Sequence, residues 1–216
     1  GTMLMNDEAP GLNRNAGDPL DGEAATIGVL RVFRDIAGQD RVGFTLTDRE
    51  LLDGHNLVGS VDGKFRFNQN WVTNLEYITT ETEPTLGGRT ISGDQRNIRL
   101  DRVGRTFNTH VHFVDTDADF RTQLGFQNRF FKSDISGVHW RSSLNYFPEN
   151  SALTSWSPVV MVVYQDDKEG VKVYSELSPS VTWNFPTSRI SVGVQDVTEV
   201  LRAKDFAGLP RAQAYG

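Results

Sequence analysis

The residues best suited to chemistry in this sequence are histidines, aspartates and arginines at short spacings. His110 and His112 stand two apart. On a strand such a pair shares one face and could hold a metal, with Asp115 or His139 as a third ligand. Spacing without a strict motif is weak support. The preferred reading is two polar residues in a hydrogen-bond network, with no metal. Asp115, Asp117 and Asp119 have a calcium-loop spacing but lack the glycine and glutamate that an EF-hand places at positions six and twelve. Solvated acids, or pairs with Arg121 and Arg129, are the simpler expectation. As a glycosidase pair they would need carboxyls held about 5–9.5 Å apart across a sugar, a geometry that spacing does not specify. No nucleophile elbow, phosphate loop or zinc-protease helix motif is present. The sequence therefore predicts no catalytic residue and no cofactor.

Two further groups are candidates for binding. Arg99, Asp101, Arg102 and Arg105 surround Gly104, either as charges lining a passage or, preferred, as an ion-pair network closing a tight turn. The segment 117–133 is too long for a simple hairpin and carries Phe120, Phe126, Phe130 and Phe131 among charges. Long loops with aromatic content often act as lids or binding surfaces. It would either fold inward or only pack over a rim. The binding set is Arg99, Asp101, Arg105, Asp117, Asp119, Phe120, Phe126, Arg129, His139 and Arg141.

The elements that must carry these residues read as strands. Strand patterning recurs at 25–35, 41–51, 56–67, 71–82, 97–103, 107–116, 134–147, 156–165, 171–184 and 189–199. Val42, Phe44 and Leu46 oppose Gly43, Thr45 and Thr47; Val138, Trp140 and Leu144 oppose His139, Arg141 and Ser143. Each such strand has one apolar and one polar side. The segment 158–164 is apolar on both faces. The spacing of Val197, Val200 and Leu201 favours a helix over 196–206. Connections at 36–40, 68–70, 103–106, 148–155 and 185–188 are mostly short. They alternate with generally longer ones at 52–55, 83–96, 117–133 and 166–170. Three of the four tryptophans, Trp71, Trp156 and Trp183, flank the first set, and Phe33, Phe67, Phe107, Phe147 and Phe185 are expected at the same end.

An aromatic rim, an apolar band and a polar opposite face are the signature of a transmembrane β-barrel with short periplasmic turns. A ten-residue strand at ~45° tilt covers roughly 23 Å, against an apolar band of about 25 Å. The predicted fold is all-β: an antiparallel up-and-down meander of about ten strands, forming an outer-membrane β-barrel or a section of one. Residues 1–24 form a strand remnant and long loop, 25–200 the barrel section and 201–216 a tail. The 38% hydrophobic content and mean hydropathy of −0.41 are low, which suits strands with one polar face. No run of 18 apolar residues occurs, so a transmembrane helix is not expected. The net charge of −6 argues against a nucleic-acid partner. The absence of cysteine removes disulfides and thiolate chemistry. Gly1 to Met5 carry no signal-peptide pattern, so an outer-membrane protein would be represented here by a fragment or mature piece.

Several stretches carry a family likeness: Val29-Leu30-Arg31-Val32-Phe33-Arg34-Asp35-Ile36, Val42-Gly43-Phe44-Thr45-Leu46-Thr47-Asp48-Arg49, and Arg99 to Arg105. The most telling is Asp117-Ala118-Asp119-Phe120-Arg121-Thr122-Gln123-Leu124-Gly125-Phe126, followed by Arg129. Over roughly 25–200 the chain resembles the barrel domain of unknown function found in bacterial outer-membrane proteins behind a family-nine-type carbohydrate-binding domain. The resemblance implies a bacterial outer-membrane location, a lipid bilayer as partner, an attached N-terminal carbohydrate-binding domain and a carbohydrate-linked solute. The expected role is passage or surface handling of a solute, with no chemistry of its own. The alternatives are a soluble β-sandwich that binds sugar and, more weakly, a glycan hydrolase.

Overall fold

The computed structural model describes residues 1–124 and 133–202. Within them the chain is all-β, and every strand belongs to one antiparallel sheet. In chain order the strands are β1 (Thr2–Asp7), β2 (Ala25–Ala37), β3 (Asp40–Leu51), β4 (Gly54–Arg66), β5 (Trp71–Glu83) and β6 (Ile91–Arg102). They continue with β7 (Phe107–Thr116), β8 (Ile135–Leu144), β9 (Ser155–Asp166), β10 (Lys172–Asn184), β11 (Arg189–Gly193) and β12 (Asp196–Glu199). Each strand from β1 to β10 pairs with the next, and β12 pairs with β10 beyond the end of β11. The meander is open, with β1 and β11 at its edges.

The ten predicted strands are all present, and β1 is an eleventh position, paired with β2 from Thr2↔Leu30 to Asp7↔Ala25. The predicted strand 189–199 is interrupted at Val194–Gln195, giving β11 and β12 along the same neighbour. This corrects the helical expectation over 196–206 where the chain is described. Asp196 to Glu199 pair with Leu177 to Tyr174, because an open edge of β10 offers backbone partners that a short helix would forgo. Strand β6 begins at Ile91, six residues earlier than the alternation indicated.

Turn chemistry explains how tightly the strands reverse. Asn68 Oδ1 accepts the backbone N–H groups of Asn70 (2.9 Å) and Trp71 (3.1 Å), an Asx turn. Gly38, at φ +53°, supplies the left-handed residue between β2 and β3. Asp167 Oδ1 likewise accepts from Glu169 and Val171 between β9 and β10.

Cross-strand register assigns every side chain to a face. One row runs Val32, Phe44, Val61, Tyr77. A second runs Leu75, Ile98, Phe113, Val138, Tyr164, and a third Leu100, Val111, Trp140, Val162, Leu177. This apolar face is exposed: Val61 is 52%, Ile98 48% and Leu177 48% accessible. The opposite face is polar and enclosed: Thr116 is 0%, Thr80 2% and Gln165 4% accessible. The enclosed face also buries apolar side chains, Ile27, Val114 and Val163 among them, yet the large exposed apolar side chains of the central strands stand on the other face, whereas a water-soluble domain buries its apolar side. Trp71, Phe107, Trp156 and Trp183 lie on the apolar face near the short-turn rim, whereas Phe33 pairs with Gly43 on the polar face, beneath Arg41. Phe33 thus lies at the expected end, beside the β2–β3 turn, but on the opposite face from the rim tryptophans.

Candidate functional site

The polar face gathers most of the predicted site residues, and its first feature is a chain of mutually satisfied charges. Arg31 pairs with Asp62 through both guanidinium nitrogens and also donates to Thr45. The three come from β2, β3 and β4 and meet over Gly43. A Cβ there would lie 2.5 Å from the Arg31 guanidinium, so glycine leaves the slot that the ion pair fills. Further along, Asn97 donates to Glu76 and Gln95, and Gln95 donates to Thr116.

Arg99 Nε donates to Asp101 Oδ2 at 2.8 Å, and Asp101 Oδ1 lies 2.7 Å from His110 Nδ1. The His110 ring is 5.2 Å from that of His139 and 6.1 Å from that of His112. Register pairs His112 with His139 and His110 with Arg141, so three histidines and an arginine share one polar patch. No group of three or more His, Asp or Glu side chains among the described residues is arranged to hold a metal ion. The geometry that exists is a hydrogen-bonded and ring-packed network anchored on Asp101.

The turn after β6 separates the predicted arginine cluster. Arg99 and Asp101 stay on the polar face. Arg102 lies on the apolar face, donates to the Phe107 carbonyl and sits over the rings of Phe107 (5.1 Å) and Trp71 (5.9 Å). Arg105 lies over Phe147 at 4.9 Å. These two guanidiniums dress the aromatic rim.

At the opposite rim the aspartates diverge. Asp115 accepts from Arg96 (2.9 Å) and Lys168 (2.6 Å). Asp117 lies 3.4 Å from Lys168 and accepts the Asp94 backbone N–H. Lys168 is the partner that spacing did not indicate, since it arrives from the β9–β10 turn. Arg121 donates instead to the carbonyls of Ala118 and Phe120.

The stretch 117–124 folds inward across the polar face. Phe120 is 2% accessible. Its backbone approaches Gly93 so closely that a Cβ there would lie 2.3 Å from the Phe120 nitrogen. Thr80 accepts the Arg121 N–H at 3.2 Å. Asn56 works as a two-sided clamp: its amide donates to the Arg121 carbonyl (3.1 Å) and accepts the Gln123 N–H (3.0 Å). Arg49 donates to the Gln123 side chain at 2.8 Å. Phe120 is thus a buried anchor, and Asn56, Thr80 and Gly93 are site residues that sequence reasoning missed. The signal in the sequence was the pair of Asn and Thr residues on strands otherwise reaching an apolar or charged row. Phe126 and Arg129, both named as candidates, lie outside the described residues.

The remaining polar surface, across β8 to β11, is a trough of about 460 Å³ holding Arg141 and Arg189. The greasy strip foreseen at 158–164 crosses this face on β9, where Val159, Met161 and Val163 pair with Ser143, Arg141 and His139 and Val159 lines the trough.

These features define an all-β protein built as a single antiparallel meander, with an exposed apolar face, an enclosed polar face and a loop folded across the latter. No protein-family model, curated protein or solved structure matches the chain.

Proposed function

We propose that this chain is a section of an outer-membrane β-barrel whose apolar face meets lipid and whose polar face lines a lumen for a solute. One observation carries the reading: a single sheet exposes a broad band of large apolar side chains on one face and gathers its charged and hydrogen-bonded network on the other. Eleven strand positions at ~4.8 Å spacing make the sheet roughly 50 Å wide, and six residues of apolar height add about 20 Å. The apolar area is therefore on the order of 1,000 Å², well above the roughly 300–600 Å² typical of the largest patch on a soluble monomer. A sugar-binding sandwich would bring such faces together in one core, and all described strands lie in one sheet.

Secondary features agree with lipid contact. Polar groups of β7 and β8 on the apolar face satisfy one another, as hydrocarbon demands: Thr109 and Ser142 hydroxyls are 2.6 Å apart, and Trp140 Nε1 donates to Ser142 at 2.7 Å. Tyr164 stands on the apolar face toward the loop rim, opposite Trp156 of the same strand, and Tyr77 lies midway along β5 on that face. The rim aromatics resemble the aromatic girdles of membrane barrels. Further strands joining the edges at β1 and β11 would complete closure. The family resemblance adds a bacterial outer-membrane location, an N-terminal carbohydrate-binding domain and a carbohydrate-linked solute to the proposal, with passage or surface handling as the role and no reaction.

Flotation tests the reading. Protein refolded with lipid vesicles should rise with them through a density gradient and resist high-salt and carbonate washes. A monodisperse protein in plain buffer that stays at the bottom of the gradient would overturn it.

A further inference from the structure

The polar face divides into two electrostatic halves. From β2 to β7 its arginines have partners: Arg31 with Asp62, Arg41 with Asp35, Arg99 with Asp101, and Arg49 with Gln123. From β8 to β11 two arginines, Arg141 and Arg189, open into one trough of about 460 Å³, and none of the residues lining it is acidic. Neither guanidinium has a carboxylate partner among the described residues. The carboxylates nearest in register are already engaged. Asp101 holds Arg99 and His110, while Glu176 accepts from Tyr174, Ser178 and Gln195, each at 2.7 Å.

The floor between the arginines is a ladder of hydroxyls: Ser143, Ser157, Ser180, Thr182 and Ser191. Amides of Asn145 and Asn184 flank it. Several are already aligned, with Ser157 donating to Asn145 at 2.7 Å and Thr182 lying 2.9 Å from Ser191. Arg141 shares a row with Ser178, and Arg189 with Asn184. Six residues separate the rows, roughly 20 Å along the strand at ~3.3 Å per residue. The arginines therefore enter the trough from separate rows, with the hydroxyls and amides between them.

We propose that this trough binds a hydroxyl-rich anionic solute, of the sugar-acid or sugar-phosphate class. Arginine gives charge-assisted hydrogen bonds to the oxyanion. The hydroxyl ladder and the amides exchange hydrogen bonds with the carrier's own hydroxyls. The proposal deepens the lumen reading and rests on it for access, since solute would pass along this face.

Isothermal titration of the folded protein in detergent micelles tests it, with glucuronic acid, glucose 6-phosphate, glucose and inorganic phosphate as probes. The sugar anions should bind at least ~tenfold more tightly than glucose, because each lost charge-assisted bond weakens binding by about that factor. The double variant R141Q/R189Q should fall to the glucose level, while R41Q, which removes an arginine paired with Asp35 away from the trough, should stay within about twofold of the parent. The order of the two sugar anions identifies the preferred oxyanion. Equal binding of glucose and glucuronic acid overturns the proposal, as does inorganic phosphate binding as tightly as the sugar anions, undiminished binding in R141Q/R189Q, or no binding of any probe. Vesicle flotation is scored separately. A protein that binds sugar anions yet stays in plain buffer would retain this site and lose the lumen.

Discussion

At the scale of single residues, the polar face is held by small groups that let large ones approach. Gly93 is the sharpest case, since the backbone of Phe120 occupies the space a side chain would need. Gly93→Ala should cost about 1–3 kcal/mol through overpacking, or else push 117–124 off the sheet. In hydrogen exchange the amides of Arg121 and Gln123, bonded to Thr80 and Asn56, should then lose protection by roughly tenfold or more. Unchanged protection in a folded Gly93→Ala variant would show that the close approach does not hold the loop. None of this was legible from spacing. Phe120 was visible as an aromatic in a long loop, but an inward fold depends on Asn56, more than sixty residues away, offering both a donor and an acceptor to one stretch of backbone. The aspartates were misleading for a similar reason, because their partner Lys168 comes from a turn two hairpins later.

At the scale of strands, alternation carried most of the fold. Where a strand crosses the apolar band, as at Val42-Gly43-Phe44-Thr45-Leu46, its two sides differ and the face is readable. Beyond the band both faces are polar, and Ile91-Ser92-Gly93-Asp94-Gln95 reads as a loop although it pairs fully with β5. The terminal strands were legible only coarsely: β1 lies within the strand remnant expected over 1–24, and β12 falls inside the strand expected over 189–199 although the spacing of Val197, Val200 and Leu201 mimics a helix. A bulge before Tyr174 also shifts parity, placing Lys172 opposite Asp166, off the polar row on which strict alternation sets it. The two faces of one strand should respond oppositely to charge. Val61→Arg puts a charge on the apolar face and should destabilise the lipid-folded protein by about 2–4 kcal/mol if it lies near the midplane. Ser60→Arg on the polar face should cost little. Urea unfolding from vesicles measures both, and equal penalties would contradict the assignment of faces.

At the scale of the whole molecule, the account depends on what touches the apolar face. Exposing one side of Val, Leu, Phe and Trp on a sheet this wide is costly in water; on the proposed reading lipid removes that cost. The open edges at β1 and β11 remain templates for further strands, so pairing there governs both closure and self-association. The chain contains no cysteine, and single cysteines can therefore be placed and spin-labelled at will. The most direct measurement labels alternate positions along β4 and β10, at Ser60, Val61, Leu177 and Ser178, in lipid vesicles, and compares collisions with oxygen and with a water-soluble nickel chelate. Labels at Val61 and Leu177 should meet oxygen and be shielded from nickel, and labels at Ser60 and Ser178 should show the reverse. Nickel access at Val61 and Leu177 equal to that at Ser60 and Ser178 would contradict contact between the apolar face and hydrocarbon.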